Sequence, residues 1–178
     1  GKNIQLHDIT ILGIYAGLRA DEIFSLSWRD VDLTHGIINI KDPKGVVNRA
    51  AYITAPIRKM FARRKKEDPN KSALVFKSTK GGKIREVSNS FERTIEKLKF
   101  NKGVTDNRDR VVFHTTRHTF GSWAAMRGTP LPTLKDLMGH RSIEMSLRYA
   151  HLCPGHGREE AERLAQEEPR NIVKLKKK

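Results

Sequence analysis

The sequence predicts one α+β domain, mostly helical, with a small antiparallel β-sheet. Three observations carry this. Apolar residues recur at helical spacing over the first sixteen positions and through most of the second half. Between Val31 and Thr54 the pattern changes to short β-rich runs separated by turn-forming residues. The length of 178 residues, 37% of them hydrophobic, suits a single core.

Residues 4 to 16 carry Ile4, Leu6, Ile9, Leu12 and Ile14 and read as a helix stopped by Gly17, which can take a left-handed conformation. Arg19 therefore falls just past a helix end. A short helix from Asp21 to Ser27 puts Glu22 and Leu26 on one face, with Glu22 near Arg19. Val31-Asp32-Leu33, Ile37-Ile38-Asn39-Ile40 and Ala51-Tyr52-Ile53-Thr54 are the strands, broken by Thr34-His35-Gly36 and Asp42-Pro43-Lys44-Gly45. Pro56 opens the next helix, where Ile57, Met60 and Phe61 form a core stripe. Its other faces are basic, and Arg58, Arg63, Arg64 and Lys65 are candidate contacts for a polyanion such as DNA.

Phe91, Ile95 and Leu98 mark another helix, and residues 101 to 110 a polar loop. Thr116 to Met126 is a helix rich in aromatics and alanine, followed by short helices over Pro132 to Met138 and Ser142 to Arg148, with Gly139-His140 turning between them and Ser142 as N-cap. Trp28, Phe120 and Trp123 are expected in the core. After the Cys153-Pro154-Gly155 break, a helix contains Glu159, Glu160, Ala161, Leu164 and Ala165. Residues 171 to 178 form a basic tail expected to be disordered, leaving residues 1 to 170 as the domain.

A formal charge of +15 favours a polyanionic partner and steers it over long range. No apolar run approaches the roughly 20 residues that span a bilayer, and no signal peptide opens the chain, so a soluble cytoplasmic protein without membrane contact is expected. Cys153 is the single cysteine, which excludes an internal disulfide, and no Cys/His pattern has zinc-site spacing.

Tyr149 lies downstream of Arg19, His114, Arg117 and His140. Together these groups can hold a phosphodiester and pass its phosphorus to a phenolic oxygen. A phenol, with a pKa of about 10, is a poor nucleophile at neutral pH and needs both a base and compensation for negative charge. Arg19 and Arg117 present planar donor forks suited to two phosphate oxygens, and they can stabilise the charge that grows in the transition state without a metal. His114 is the candidate base for the Tyr149 hydroxyl, because an imidazole titrates near neutrality. His118 reads as structural or as a secondary support.

Gly17-Leu18-Arg19-Ala20-Asp21-Glu22-Ile23, His114-Thr115-Thr116-Arg117-His118, Met138-Gly139-His140 and Arg148-Tyr149-Ala150-His151 together resemble the catalytic domain of the tyrosine recombinases, the phage-integrase family. The intervals of nine residues from His140 to Tyr149 and three from His114 to Arg117 are those of the family. The resemblance spans residues 4 to 165.

It implies site-specific cutting and rejoining of double-stranded DNA through a 3′-phosphotyrosine, with no cofactor and no ATP, since the linkage conserves the phosphodiester's energy. It further implies that His114 also bonds the phosphate, that His140 donates to it, and that Glu22 orients Arg19 or a histidine. Lys44, with Lys41 as second choice, would protonate the leaving 5′-oxygen. Four protomers would act together on DNA, monomeric in isolation, with the helix around Glu159 to Gln166 packing on a neighbour. The family's helical core-binding domain would precede this one and is absent from the 178 residues. Two alternatives remain at this level: a type IB topoisomerase-like enzyme and a catalytically silent DNA-binding protein.

Overall fold

The computed structural model describes residues 4–41, 49–65, 70–87, 89–155, 157, 161, 162 and 165. Helix α1 (Ile4–Ala16) and helix α2 (Ala20–Phe24) meet at Gly17, whose φ of 62° ends α1 in the left-handed region. A Cβ at Gly17 would sit 2.6 Å from the Phe120 ring, so close packing also requires glycine there. Strands β1 (Val31–Asp32), β2 (Ile37–Ile40) and β3 (Arg49–Tyr52) form an antiparallel sheet in that order, with Ile38 opposite both Val31 and Ala51. Asp32 Oδ1 accepts from the backbone of Thr34 and His35, each at 2.9 Å, and fixes the β1–β2 turn.

Helix α3 (Ala55–Lys65) buries Ile57, Met60 and Phe61, the stripe read from the sequence. Helix α4 (Asn89–Lys97) follows, then α5 (Thr115–Met126), α6 (Leu131–Met138) and the single turn α7 (Glu144–Leu147). Two apolar clusters result. The larger gathers α1, α2, the sheet, α3, α4 and Phe113, and the smaller holds Ala125, Leu134, Met138 and Tyr149. Among the described residues, no helix is long and apolar enough to cross a membrane.

Local details differ from the sequence expectation for physical reasons. Helix α2 stops at Phe24 because Leu26 to Trp28 pair with residues 73 to 75: Val75 N donates to Leu26 O at 2.8 Å and Trp28 N to Ala73 O at 3.1 Å. Strand β3 begins at Arg49 and ends at Tyr52, since the Thr54 carbonyl already accepts from Arg58 N at 2.9 Å as α3 starts. Leu98 lies beyond α4 and is exposed, because Lys99 takes φ 58° and closes the helix without a glycine to announce it. Ile143, not Ser142, caps α7.

Trp28 is buried and Phe120 partly so, but Trp123 is exposed, beside Tyr15 at a ring distance of 6.3 Å. Of the Glu159–Gln166 segment only Ala161, Glu162 and Ala165 are among the described residues, and these three are helical. Residues 171 to 178 lie wholly outside them.

Candidate active site

The site lies along the seam between the two apolar clusters, where the end of α6 is gripped by arginines from three other parts of the chain. A helix leaves its last carbonyls unpaired and carries partial negative charge there. Arg49, at the start of β3, donates through Nη1 to Leu137 O at 3.0 Å, Arg117 of α5 donates through Nη2 to Met138 O, and Arg19 donates through Nη2 to Gly139 O at 3.0 Å. Arg117 Nη1 also donates to Gly17 O, which joins the end of α1 to the same cluster. Each guanidinium has five N–H donors, so these bonds leave capacity for an anion.

Glu22 organises this group of cations. Its Oε2 accepts the Arg19 backbone N–H at 2.7 Å and Arg49 Nη2 at 2.8 Å, and its Oε1 accepts Arg19 Nη1 at 3.1 Å. The Arg49 and Glu22 side chains are 8% and 10% exposed, against 38% for Arg19, so Arg19 is the arginine open to solvent. Burial, followed by the neighbouring charge of Arg19, pushes Arg117 down to about 9, which leaves it protonated at neutral pH.

Gly139 takes φ 60°, ψ 47° and turns the chain from α6 into His140. A Cβ there would collide with the Arg49 side chain, so glycine is needed for both conformation and space. His140 is buried, and its Nδ1 lies 2.8 Å from Ser146 Oγ on α7. Burial, reinforced by Arg117, Arg19, Arg148 and Arg49, pushes His140 down to about 4. It is therefore neutral near pH 7. An Nδ1 that accepts from the Ser146 hydroxyl would leave the ring proton on Nε2, the tautomer that can donate to a ligand from that side.

Tyr149 is 4% exposed and packs with Met138 and Leu134 of α6. Its ring lies over Gly121 of α5, where a Cβ would come within 2.6 Å of Tyr149 Cζ. Its hydroxyl lies 2.8 Å from His118 Nδ1. Burial pushes the phenol pKa up, against the opposing effect of Arg148 and Arg117, so the resting group is the neutral phenol. His114 caps α5, is exposed, and meets the His118 ring edge-on at 4.8 Å.

Residues 2–156 match the model of the phage integrase family. The chain belongs to the phage integrase family. A probable integrase/recombinase of Methanocaldococcus jannaschii is 26% identical over 85% of this chain and 47% of its own length. The integrase of Salmonella phage P22 is 27% identical over 89% of this chain and 42% of its own. The chain thus spans under half the length of these relatives. The fold is similar to that of the Tn1549 transposon integrase, solved with circular intermediate DNA, with a TM-score of 0.71 and 23% identity over 92% of this chain and 62% of that one.

Within this phage-integrase-family chain, Arg19, Glu22, Arg117, His140 and Tyr149 converge through the contacts described, and His114 adjoins them through His118. Lys44 lies outside the described residues. Lys41, the second choice for its role, forms an ion pair with Asp30 at 2.9 Å. Burial raises the Asp30 carboxyl, but the hydrogen bonds from Lys41 and Ser27 outweigh this and hold it below the usual range.

The basic face of α3 divides. Arg58 and Lys65 are exposed, although Arg58 Nη1 also donates to Leu33 O at 2.7 Å. Arg64 departs from the expected DNA-facing role: it is turned inward, 2.8 Å from the fully buried Asp8 of α1 and stacked on Phe76. Arg63 bonds the same carboxylate while remaining half exposed. A buried carboxylate requires paired cations, and α3 supplies them.

Two contributors, Arg49 and Ser146, escape the sequence reading, and a third, His118, has a closer contact than that reading gives it. Arg49 stands in a strand flanked by small residues and meets its partners across the fold. Ser146 is fully buried beneath His140 but looks like an ordinary helix-start serine. His118, a support by sequence, touches the tyrosine hydroxyl. Its one-turn spacing from His114 on α5 was the available signal, since i and i+4 share a helix face.

Proposed function

We propose that this chain is the catalytic domain of a site-specific DNA recombinase that cleaves and rejoins double-stranded DNA through a 3′-phosphotyrosine at Tyr149. The observation that carries the reading is the buried Tyr149 hydroxyl on an imidazole, beside the Arg19–Arg117 cluster at the end of α6. Family membership, the names of the relatives and the formal charge of +15 support it. So does the DNA bound to the similar Tn1549 integrase.

In this mechanism Arg19 and Arg117 exchange some carbonyl contacts for non-bridging phosphate oxygens, and His140 donates from Nε2. Fixed donors aimed at the phosphoryl group stabilise charge as it develops. The Tyr149 oxygen attacks phosphorus as its proton passes to a histidine of the site, and the P–O5′ bond breaks. Lys44, by resemblance, supplies the proton for the leaving 5′-oxygen. The phosphotyrosine keeps the phosphodiester's energy, so a second 5′-hydroxyl can reverse the step. Two duplexes are exchanged by four protomers in the cytoplasm.

The test uses nicked suicide duplexes with randomised sequence at low salt, where phosphate contacts are strongest. The native chain is expected to form a covalent adduct at a DNA 3′ end, and Tyr149→Phe none. Duplex binding without any adduct would overturn the cleavage reading in favour of a silent DNA-binding protein.

A further inference from the structure

His114 and His118 occupy one face of α5, one turn apart, yet they differ in surroundings. His114 is exposed at the helix start, whereas His118 is half-buried and its Nδ1 meets the Tyr149 hydroxyl at 2.8 Å. The contact joins two elements, since Tyr149 follows α7 and is held in place by Met138 and by the space above Gly121. A proton acceptor must reach the proton it removes, and this distance is already within hydrogen-bond range. We propose that His118, rather than His114, is the immediate proton acceptor for Tyr149, which leaves the exposed His114 to contact the phosphate.

The step rests on the strand-cleavage reading. The Tyr149 O–H bond breaks and its proton passes to His118 Nδ1 as the phenolic oxygen bonds to phosphorus. The P–O5′ bond breaks, and the 5′-oxygen takes a proton from a separate acid. On resealing, the tyrosine–phosphorus bond breaks and His118 returns its proton to the departing phenolate. Nδ1 must then carry a lone pair at rest, with the ring proton on Nε2.

The groups that face His118 favour that neutral state: burial, then His114, Arg148 and Arg117, all lower its pKa. The Tyr149 phenol, held neutral by its own burial, needs such a partner. The His114 imidazole packs edge-on against the His118 ring at 4.8 Å and 84°.

The test measures single-turnover adduct formation by the native chain, His118→Asn, His118→Ala and His114→Asn. Each is tried on an ordinary suicide duplex and on one with sulfur in place of the scissile 5′-oxygen. Asparagine can keep a hydrogen bond where Nδ1 stood but cannot take the proton, and a thiolate leaves without needing an acid. His118→Asn is expected to be about 100-fold slow on both substrates, the range of a lost general base. Added imidazole is expected to restore His118→Ala about tenfold, and duplex binding to stay unchanged.

A His118→Asn rate within about threefold of native would reduce the residue to positioning and overturn the proposal. Recovery on the sulfur substrate would make it the leaving-group acid instead, and a base-type loss confined to His114→Asn would return the role to that residue. If the native chain makes no adduct on either substrate, the cleavage reading itself fails and this assignment falls with it.

Discussion

Arg49 Nη2 lies 2.8 Å from Glu22 Oε2, and the two buried side chains join the sheet to the helix that follows Arg19. The pair fixes Glu22 for Arg19, while the other Arg49 nitrogen holds the Leu137 carbonyl at the end of α6. One residue thus ties the β3 strand to two walls of the site. Arg49→Met keeps much of the volume but leaves Glu22 without its buried partner. A loss of about 3 kcal/mol in urea unfolding is expected, the range for breaking a buried pair from one side. Adduct yield should drop with it, even at temperatures where the variant remains folded.

Gly121→Ala tests the seat of the tyrosine. In an exposed helix this change would add roughly 1 kcal/mol of stability through helix propensity. Here the new Cβ would come within 2.6 Å of Tyr149 Cζ, so the ring must shift. Cleavage is expected to fall about 100-fold, because displacements near 1 Å carry penalties of that order. Binding to duplex DNA, measured by anisotropy, should be unchanged.

Ser146→Ala removes the hydroxyl that orients His140 through Nδ1. The imidazole is then free to rotate or to change tautomer, and its donation to a phosphate weakens. Adduct formation is expected to slow about tenfold, in keeping with the typical effect of losing a hydrogen-bonded support. Ser146→Thr, which retains the hydroxyl, should recover part of the rate if the added methyl is accommodated.

Stability should decline in mild acid. His140 is held down at about 4 in the folded chain, while an unfolded imidazole titrates near about 6.5. Between those values the unfolded chain binds a proton that the folded one refuses, so stability present above about pH 6.5 is lost progressively as pH falls to about 4. His114 and His118, also lowered, act in the same direction. Thermal midpoints at constant ionic strength should fall across this window, and His140→Asn should flatten the fall.

The sequence by itself determined the helices whose apolar stripes face the core, the three-stranded sheet, and the strings carrying Arg19, Arg117, His140 and Tyr149. These were legible because each depends on local spacing: a 3.6-residue period, a glycine past a helix end, a fixed interval between two chemical groups. Tertiary structure decided the rest. Arg49 finds Glu22 across 27 positions and Leu137 across 88, and His118 finds Tyr149 across 31. Arg64 was taken from the basic face of its helix by Asp8, 56 positions away. Which cation is buried, and which imidazole reaches the phenol, depends on how helices cross and where carbonyls end. Neither is written in the periodicity of any one segment.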